Sequence, residues 1–182
     1  MKTKLLTIVA ALAMATGCNV ENEYSSRYVF LRFDNSRHLD QTLAAAMNSV
    51  VTNIFCRIYV SGASRLSFVN NQAPDSPTTV QLSEIELQYG TPTLGISNAN
   101  GIIVGYGLGG VFYCYDALCA YCYENNKRQL LSMNTSGIAT CSNCHRQYDL
   151  TNDGLCSEGG RLYRYQATTT GPQGVLNVSN HN

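Results

Sequence analysis

The 182-residue sequence contains no tryptophan, four prolines and three histidines, and only 13% of its residues are charged. Twelve basic residues are balanced by twelve acidic ones. With no basic tract to lie along a phosphate backbone, the chain is not expected to have nucleic acid as a partner. The scarce histidines, His38, His145 and His181, leave little for acid–base chemistry, and no pair of carboxylates stands out. A cysteine nucleophile also lacks an independent base, because every cysteine near His145 belongs to a pair. No enzyme active site is expected. There is no repeat of solenoid length and no low-complexity tract.

Long apolar runs are missing too. The stretch Leu5 to Met14 is too short to span a bilayer as a helix, and polar residues follow from Asn19. Preceded by Lys2 and Lys4 and followed by Ala15, Thr16, Gly17 and Cys18, it reads as a secretory signal over residues 1–17. Gly17-Cys18 resembles the lipobox of bacterial lipoproteins, with Cys18 the acylated residue, although Ala15 stands where leucine is more usual. The alternative is cleavage after Ala13-Met14-Ala15, which releases a soluble protein. The expectation is an exported protein, lipid-anchored to the cell-envelope membrane on its periplasmic or surface face. A tether would occupy 18–27 and a single domain 28–182, a length that supports its own core.

What the chain does have is cysteine, eight residues in all. Outside the cytoplasm thiols can persist as disulfides. Cys18 aside, Cys119-x-x-Cys122 and Cys141-x-x-Cys144 form two pairs separated by 18 residues. Two such tight turns, each pointing both sulfurs inward, can face each other around one tetrahedral ion. Zinc or a single iron suits that donor set, and a 2Fe-2S cluster also takes four cysteines. Disulfides within or across the pairs are the alternative. Cys141-Ser142-Asn143-Cys144-His145 also spells the attachment motif of c-type haem, but that reading leaves Cys119 and Cys122 without a role. Cys56 and Cys114 lie in apolar segments and read as core thiols, whereas Cys156, in a turn, is the better disulfide candidate.

Many short apolar segments bounded by Gly, Asn or Pro argue a mostly β sandwich or barrel. Strands are expected at Tyr28–Phe33, Ile54–Val60, Leu66–Val69, Thr93–Ile96, Ile102–Tyr106, Val111–Tyr115, Ile138–Thr140, Leu162–Tyr165 and Val175–Val178. One short N-terminal helix, capped by Ser36, is expected from Leu39, Leu43, Met47 and Val50 at helical spacing. Asn70 to Pro77 is a loop. Gly105, Gly107 and Gly110 match a dinucleotide-binding pattern, but the residues that follow read as strand, so the glycines predict a hairpin turn.

The run Cys141-x-x-Cys144-His145, Tyr148-Asp149-Leu150, Gly154, Gly159-Gly160, Leu162, Tyr165 and Gly174-Val175-Leu176 resembles the second half of a Rieske domain. A strand ending in Tyr115-Asp116 before Cys119 resembles the first half. The resemblance covers roughly residues 100 to 180. It implies a Rieske-like antiparallel β sandwich or barrel with an inserted metal-binding lobe at about 117–150, and a possible role in electron transfer with a redox protein partner. A Rieske centre takes one Cys and one His per loop. Here Cys144 replaces the second histidine, and the first loop is C-x-x-C with Tyr121 near the expected histidine position. The ligands expected are therefore Cys119, Cys122, Cys141 and Cys144, with His145 and Tyr121 beside them. His145 could donate a hydrogen bond to a sulfur, and tyrosines 113, 115, 121 and 123 could shield the centre. Structural zinc in a surface binding protein with no redox role is the alternative function.

Overall fold

A computed structural model describes residues 23–180. The proposed signal, Cys18 and His181 lie outside the described residues. Among the described residues, twelve strands form three antiparallel sheets. The largest, in the order β4-β3-β2-β5-β6, joins β2 (Phe55–Gly62), β3 (Arg65–Asn70), β4 (Thr78–Gln81), β5 (Ile102–Tyr106) and β6 (Phe112–Asp116). A three-stranded sheet places β12 (Val175–Ser179) between β1 (Phe30–Asp34) and β11 (Ala167–Thr169). A four-stranded sheet runs β10-β9-β8-β7, from β7 (Leu131–Met133), β8 (Ile138–Cys141), β9 (Gln147–Asp149) and β10 (Leu155–Cys156).

The period-two alternation of side chains explains how these sheets share two cores. On β5 and β6, Ile102, Val104 and Cys114 belong to one apolar cluster, together with Leu31, Phe33, Leu176 and Val178 of the three-stranded sheet. Their neighbours Ile103, Tyr113 and Tyr115 belong to the other, together with Ala139, Cys141 and Tyr148 of the four-stranded sheet and Leu150 just after β9. Both faces of the central strands are thus covered. That is why Ile102–Tyr106 and Phe112–Asp116 read as continuous apolar runs. It also separates the unpaired cysteines. Cys56 and Cys114 lie in the first cluster and Cys156 in the second, across the sheet.

The expected N-terminal helix is instead two short ones, α1 (Asn35–His38) and α2 (Gln41–Ala46). Leu39 breaks them with a left-handed φ of 53° and is itself exposed. The caps are Asp34, which accepts from the Ser36 N–H, and Asp40, which accepts from the Leu43 N–H. Leu43 and Met47 are buried as the spacing implied, whereas Val50 is exposed. Thr93–Ile96 and Leu162–Tyr165 are not strands; each contributes a single isolated bridge, Phe30 to Thr93 and Tyr115 to Arg164. A short helix α3 (Glu84–Gln88), absent from the sequence expectation, follows β4 and is closed by a Ser83/Glu86 capping box.

The glycine-rich segment makes the β5–β6 connection as expected. Gly109 and Gly110 take left-handed φ values of 70° and 71°. A Cβ on Gly105 would meet the Ile54 carbonyl oxygen at 2.4 Å, so this glycine is needed for packing rather than for a pyrophosphate.

Candidate metal centre

Two turns of the lobe carry the cysteine pairs. The first begins where β6 ends, at the buried Asp116. Its carboxylate accepts from the Leu118 N–H at 2.9 Å, from the Ile96 N–H at 2.8 Å and from the Tyr165 hydroxyl at 2.9 Å. Those bonds turn the chain into Cys119, which caps the five-residue helix α4 (Ala120–Glu124). As a cap, Cys119 Sγ accepts from the Cys122 N–H at 3.5 Å, so both sulfurs face the same side of one turn. The second turn links β8 to β9. Cys141 ends β8, and Cys141 N–H donates to the Arg146 carbonyl while His145 N–H donates to the Cys141 carbonyl. His145 adopts a φ of 62°, and the chain re-enters β9 with Cys144 turned back toward Cys141.

The fold brings all four expected ligands together. The sulfurs of Cys119, Cys122, Cys141 and Cys144 lie within 4.8 Å of one another. The closest approaches cross between the two turns, with Cys119 to Cys144 at 3.6 Å and Cys122 to Cys141 at 3.5 Å. A tetrahedral ion with metal–sulfur bonds of about 2.3 Å separates its ligands by about 3.8 Å. A disulfide would need about 2.05 Å. None of the seven described cysteines is disulfide-bonded, so Cys156, expected as a disulfide candidate, is a buried free thiol. The reason is its place in the second cluster, across the central sheet from Cys56 and Cys114.

Three of the ligands are buried and only Cys144 is partly exposed. Without a cation, burial opposes thiolate formation and pushes Cys119 up to about 12. Cys144 is raised for the same first cause. At Cys141 burial also raises the pKa, but the backbone N–H groups of Cys144 and Asn143 outweigh it, and the net shift is downward. Buried thiols held this close repel one another once ionised, and a cation removes that cost.

The side chains that reach the sulfurs are not the expected ones. Asn143 Nδ2 donates to Cys122 Sγ at 3.3 Å, and the Tyr148 hydroxyl lies 3.3 Å from Cys119 Sγ. Among the described residues, His145 is exposed and makes no hydrogen bond to any of the four sulfurs. His145 sits at a left-handed position with φ 62°, and the side-chain hydrogen bond to a sulfur comes from Asn143 instead. Tyr121 is 41% exposed under the Arg146 guanidinium, 3.9 Å from its ring centroid. Tyr113 and Tyr115 pack in the lobe core, stacked at 5.5 Å. Sequence offered one signal for the missed pair. Asn143 lies between two ligands, and Tyr148 falls at the second residue of β9, where a side chain must face inward if Gln147 faces out.

No protein family, no curated protein and no solved structure matches this chain.

Proposed function

We propose that the protein is a metal-binding module in which Cys119, Cys122, Cys141 and Cys144 hold a single divalent ion, zinc in the first instance, that staples the lobe together. The observation that carries this is the mutual approach of four sulfurs to within 4.8 Å. A 2Fe-2S cluster places two irons and two sulfides between its ligand pairs, which sets them further apart than one tetrahedral edge. With all four sulfurs within 4.8 Å of one another, no two of them are held that far apart, which favours one ion. The four donors also leave no open coordination position, as in structural rather than catalytic zinc sites. Four thiolates around a divalent ion carry a formal charge of about −2, which the donors from Asn143 and Tyr148 spread over the protein.

Elemental analysis of protein purified from its own compartment tests this. Stoichiometric zinc with colourless solutions is the expected result. Absence of any metal together with fully oxidised thiols would overturn it.

A second reading is favoured by the exposure of Cys144. If the ion is iron, that sulfur gives electrons a path to a redox partner, and visible absorption with a reversible EPR signal replaces the silent zinc spectrum. The Rieske-like resemblance is supported by element order. A strand ending in Asp116 precedes the first ligand turn, β9 with Tyr148 and Asp149 follows the second, and β12 holds Val175 and Leu176, whereas Leu162–Tyr165 makes only an isolated bridge. The signal-like residues 1–17 and Cys18 support export and a lipid anchor on the envelope membrane. Mass spectrometry of the mature N-terminus tests the anchor, and a free Thr16 there would refute it.

A further inference from the structure

Beside the metal-site lobe, the segment 23–27 meets the turns around Tyr121 and Gly159 across a cavity of about 780 Å³. That is within the range of about 300–1,000 Å³ typical of small-ligand sites. Four arginines line it, Arg27, Arg146, Arg161 and Arg164. Their carboxylate partners are accounted for by position. Asp153 takes Arg161 at 3.0 Å and Arg164 at 2.9 Å, and Glu158 lies 3.7 Å from Arg146. Glu124, also in the lining, accepts from the Tyr163 hydroxyl at 3.2 Å.

Two of the arginines have capacity left. The Arg164 side chain is only 10% exposed, and its buried Nε has no hydrogen-bond partner. Leaving a buried donor of a charged group unsatisfied is costly, and an incoming oxygen acceptor would recover that cost. Arg27 lies over the rings of Tyr123 and Tyr163, at 4.6 and 5.4 Å from their centroids. Among the described residues Arg27 takes part in no ion pair. One carboxylate already shows what the cavity accepts. Glu23 is 56% exposed, yet its oxygen reaches Arg164 Nη1 at 2.6 Å. The rings of Tyr24 and Tyr121, 37% and 41% exposed, line the same space, each with an arginine over one face, Arg164 at 5.0 Å and Arg146 at 3.9 Å.

We propose that this cavity binds a small aromatic carboxylate. Arg164 and Arg27 hold the carboxylate group, displacing Glu23, and the ring lies against Tyr24 and Tyr121. The site goes beyond the metal reading, and its carboxylate-binding arginines, Arg27 and Arg164, lie outside the two ligand turns.

Benzoate is the probe, titrated into the full chain and followed by the arginine Nε–H and cavity amide resonances. Acetate serves as the probe without a ring and benzyl alcohol as the probe without a charge. Benzoate should shift the Arg164 Nε–H resonance saturably and at lower concentration than acetate, with benzyl alcohol leaving it unmoved. Arg27→Gln should weaken benzoate binding. Glu23→Gln, which removes the internal competitor without touching the arginines, should strengthen it about two- to fivefold, the scale of an exposed ion pair. An equal response to benzyl alcohol, no saturable shift, or unchanged affinity in both variants would overturn the proposal. Metal content measured on the same sample keeps the two readings apart, since metal-free protein that still binds benzoate fails only the first.

Discussion

At the scale of single residues, the centre depends on groups that are not ligands. Asn143 and Tyr148 each place a polar hydrogen against a sulfur, lowering the electron density that four thiolates crowd around one ion. Asn143→Ala and Tyr148→Phe should each weaken metal affinity about 10–100-fold while leaving the four cysteines in place. Competition with a chromophoric chelator measures this, and unchanged affinity in both would remove these residues from the account. His145→Ala should leave affinity unchanged. Asp116 has a different task. Burial raises its pKa, although the Ile96 and Leu118 N–H groups and the Tyr165 hydroxyl pull the other way. A carboxyl raised in the folded state favours folding most below its ordinary 3.8, and that contribution is lost as pH rises through the raised value. Asp116→Asn cannot accept from both backbone donors and should cost about 1–3 kcal/mol. The deficit should be largest in acid and narrow toward neutral pH. Urea unfolding across that range checks it, and a deficit that does not vary with pH would rule out the titration.

Among the elements, legibility in the sequence followed burial. Strands with at least one continuously covered face, such as β2, β5, β6 and β12, declared themselves through Ile, Val, Tyr and Phe. β10 and β11 did not, because two or three residues of Leu-Cys or Ala-Thr-Thr carry no period, and their strand state is imposed by β9 and β12. The split of the first helix is encoded in Asp40, the cap of α2, while Leu39 and Val50 complete an apolar stripe that suggests one longer helix and that the fold leaves exposed. Ser83-x-x-Glu86 is likewise a plain capping signature for α3. The box does more than cap, because Glu86 Oε1 also meets His38 Nε2 at 2.8 Å and ties α3 to α1. Burial raises the Glu86 pKa, but the Ser83 and His38 bonds outweigh it and the net shift is downward. Its stabilisation is therefore present above the ordinary 4.5 and lost as pH falls through the lowered value. Ser83→Ala should cost about 1 kcal/mol at neutral pH and shift thermal unfolding accordingly. A loss near zero would mean that the His38 contact alone holds the helix. The ligand pairs were the most legible feature of all, since their spacing expresses a local turn geometry that needs no tertiary knowledge.

Across the whole molecule, the central sheet divides the chain into two cores of different character. One is built from Leu, Ile, Val and Phe contributed by β1, β2, β3, β5 and β12. The other contains Cys119, Cys122 and Cys141 among its buried members, with Cys144 packed against it. The four-stranded sheet around it is short, its strands two to four residues long. Such a lobe has little apolar area of its own, and the ion supplies cross-links that its core cannot. Removing metal should therefore act unevenly. Amide exchange after chelation should accelerate over β7, β8, β9 and α4 while β1, β2, β3 and β12 keep their protection. Acid should do the same by proton competition. In the metal-free fold Cys119 holds its proton up to about 12, so binding must displace it, and affinity should rise by about tenfold per pH unit for each proton released. Lowering the pH at fixed metal should release the ion first and loosen the lobe with it, before the larger core responds. If chelation or mild acid instead unfolds both cores together, the sheet transmits the loss, and the centre stabilises the whole chain rather than the lobe alone.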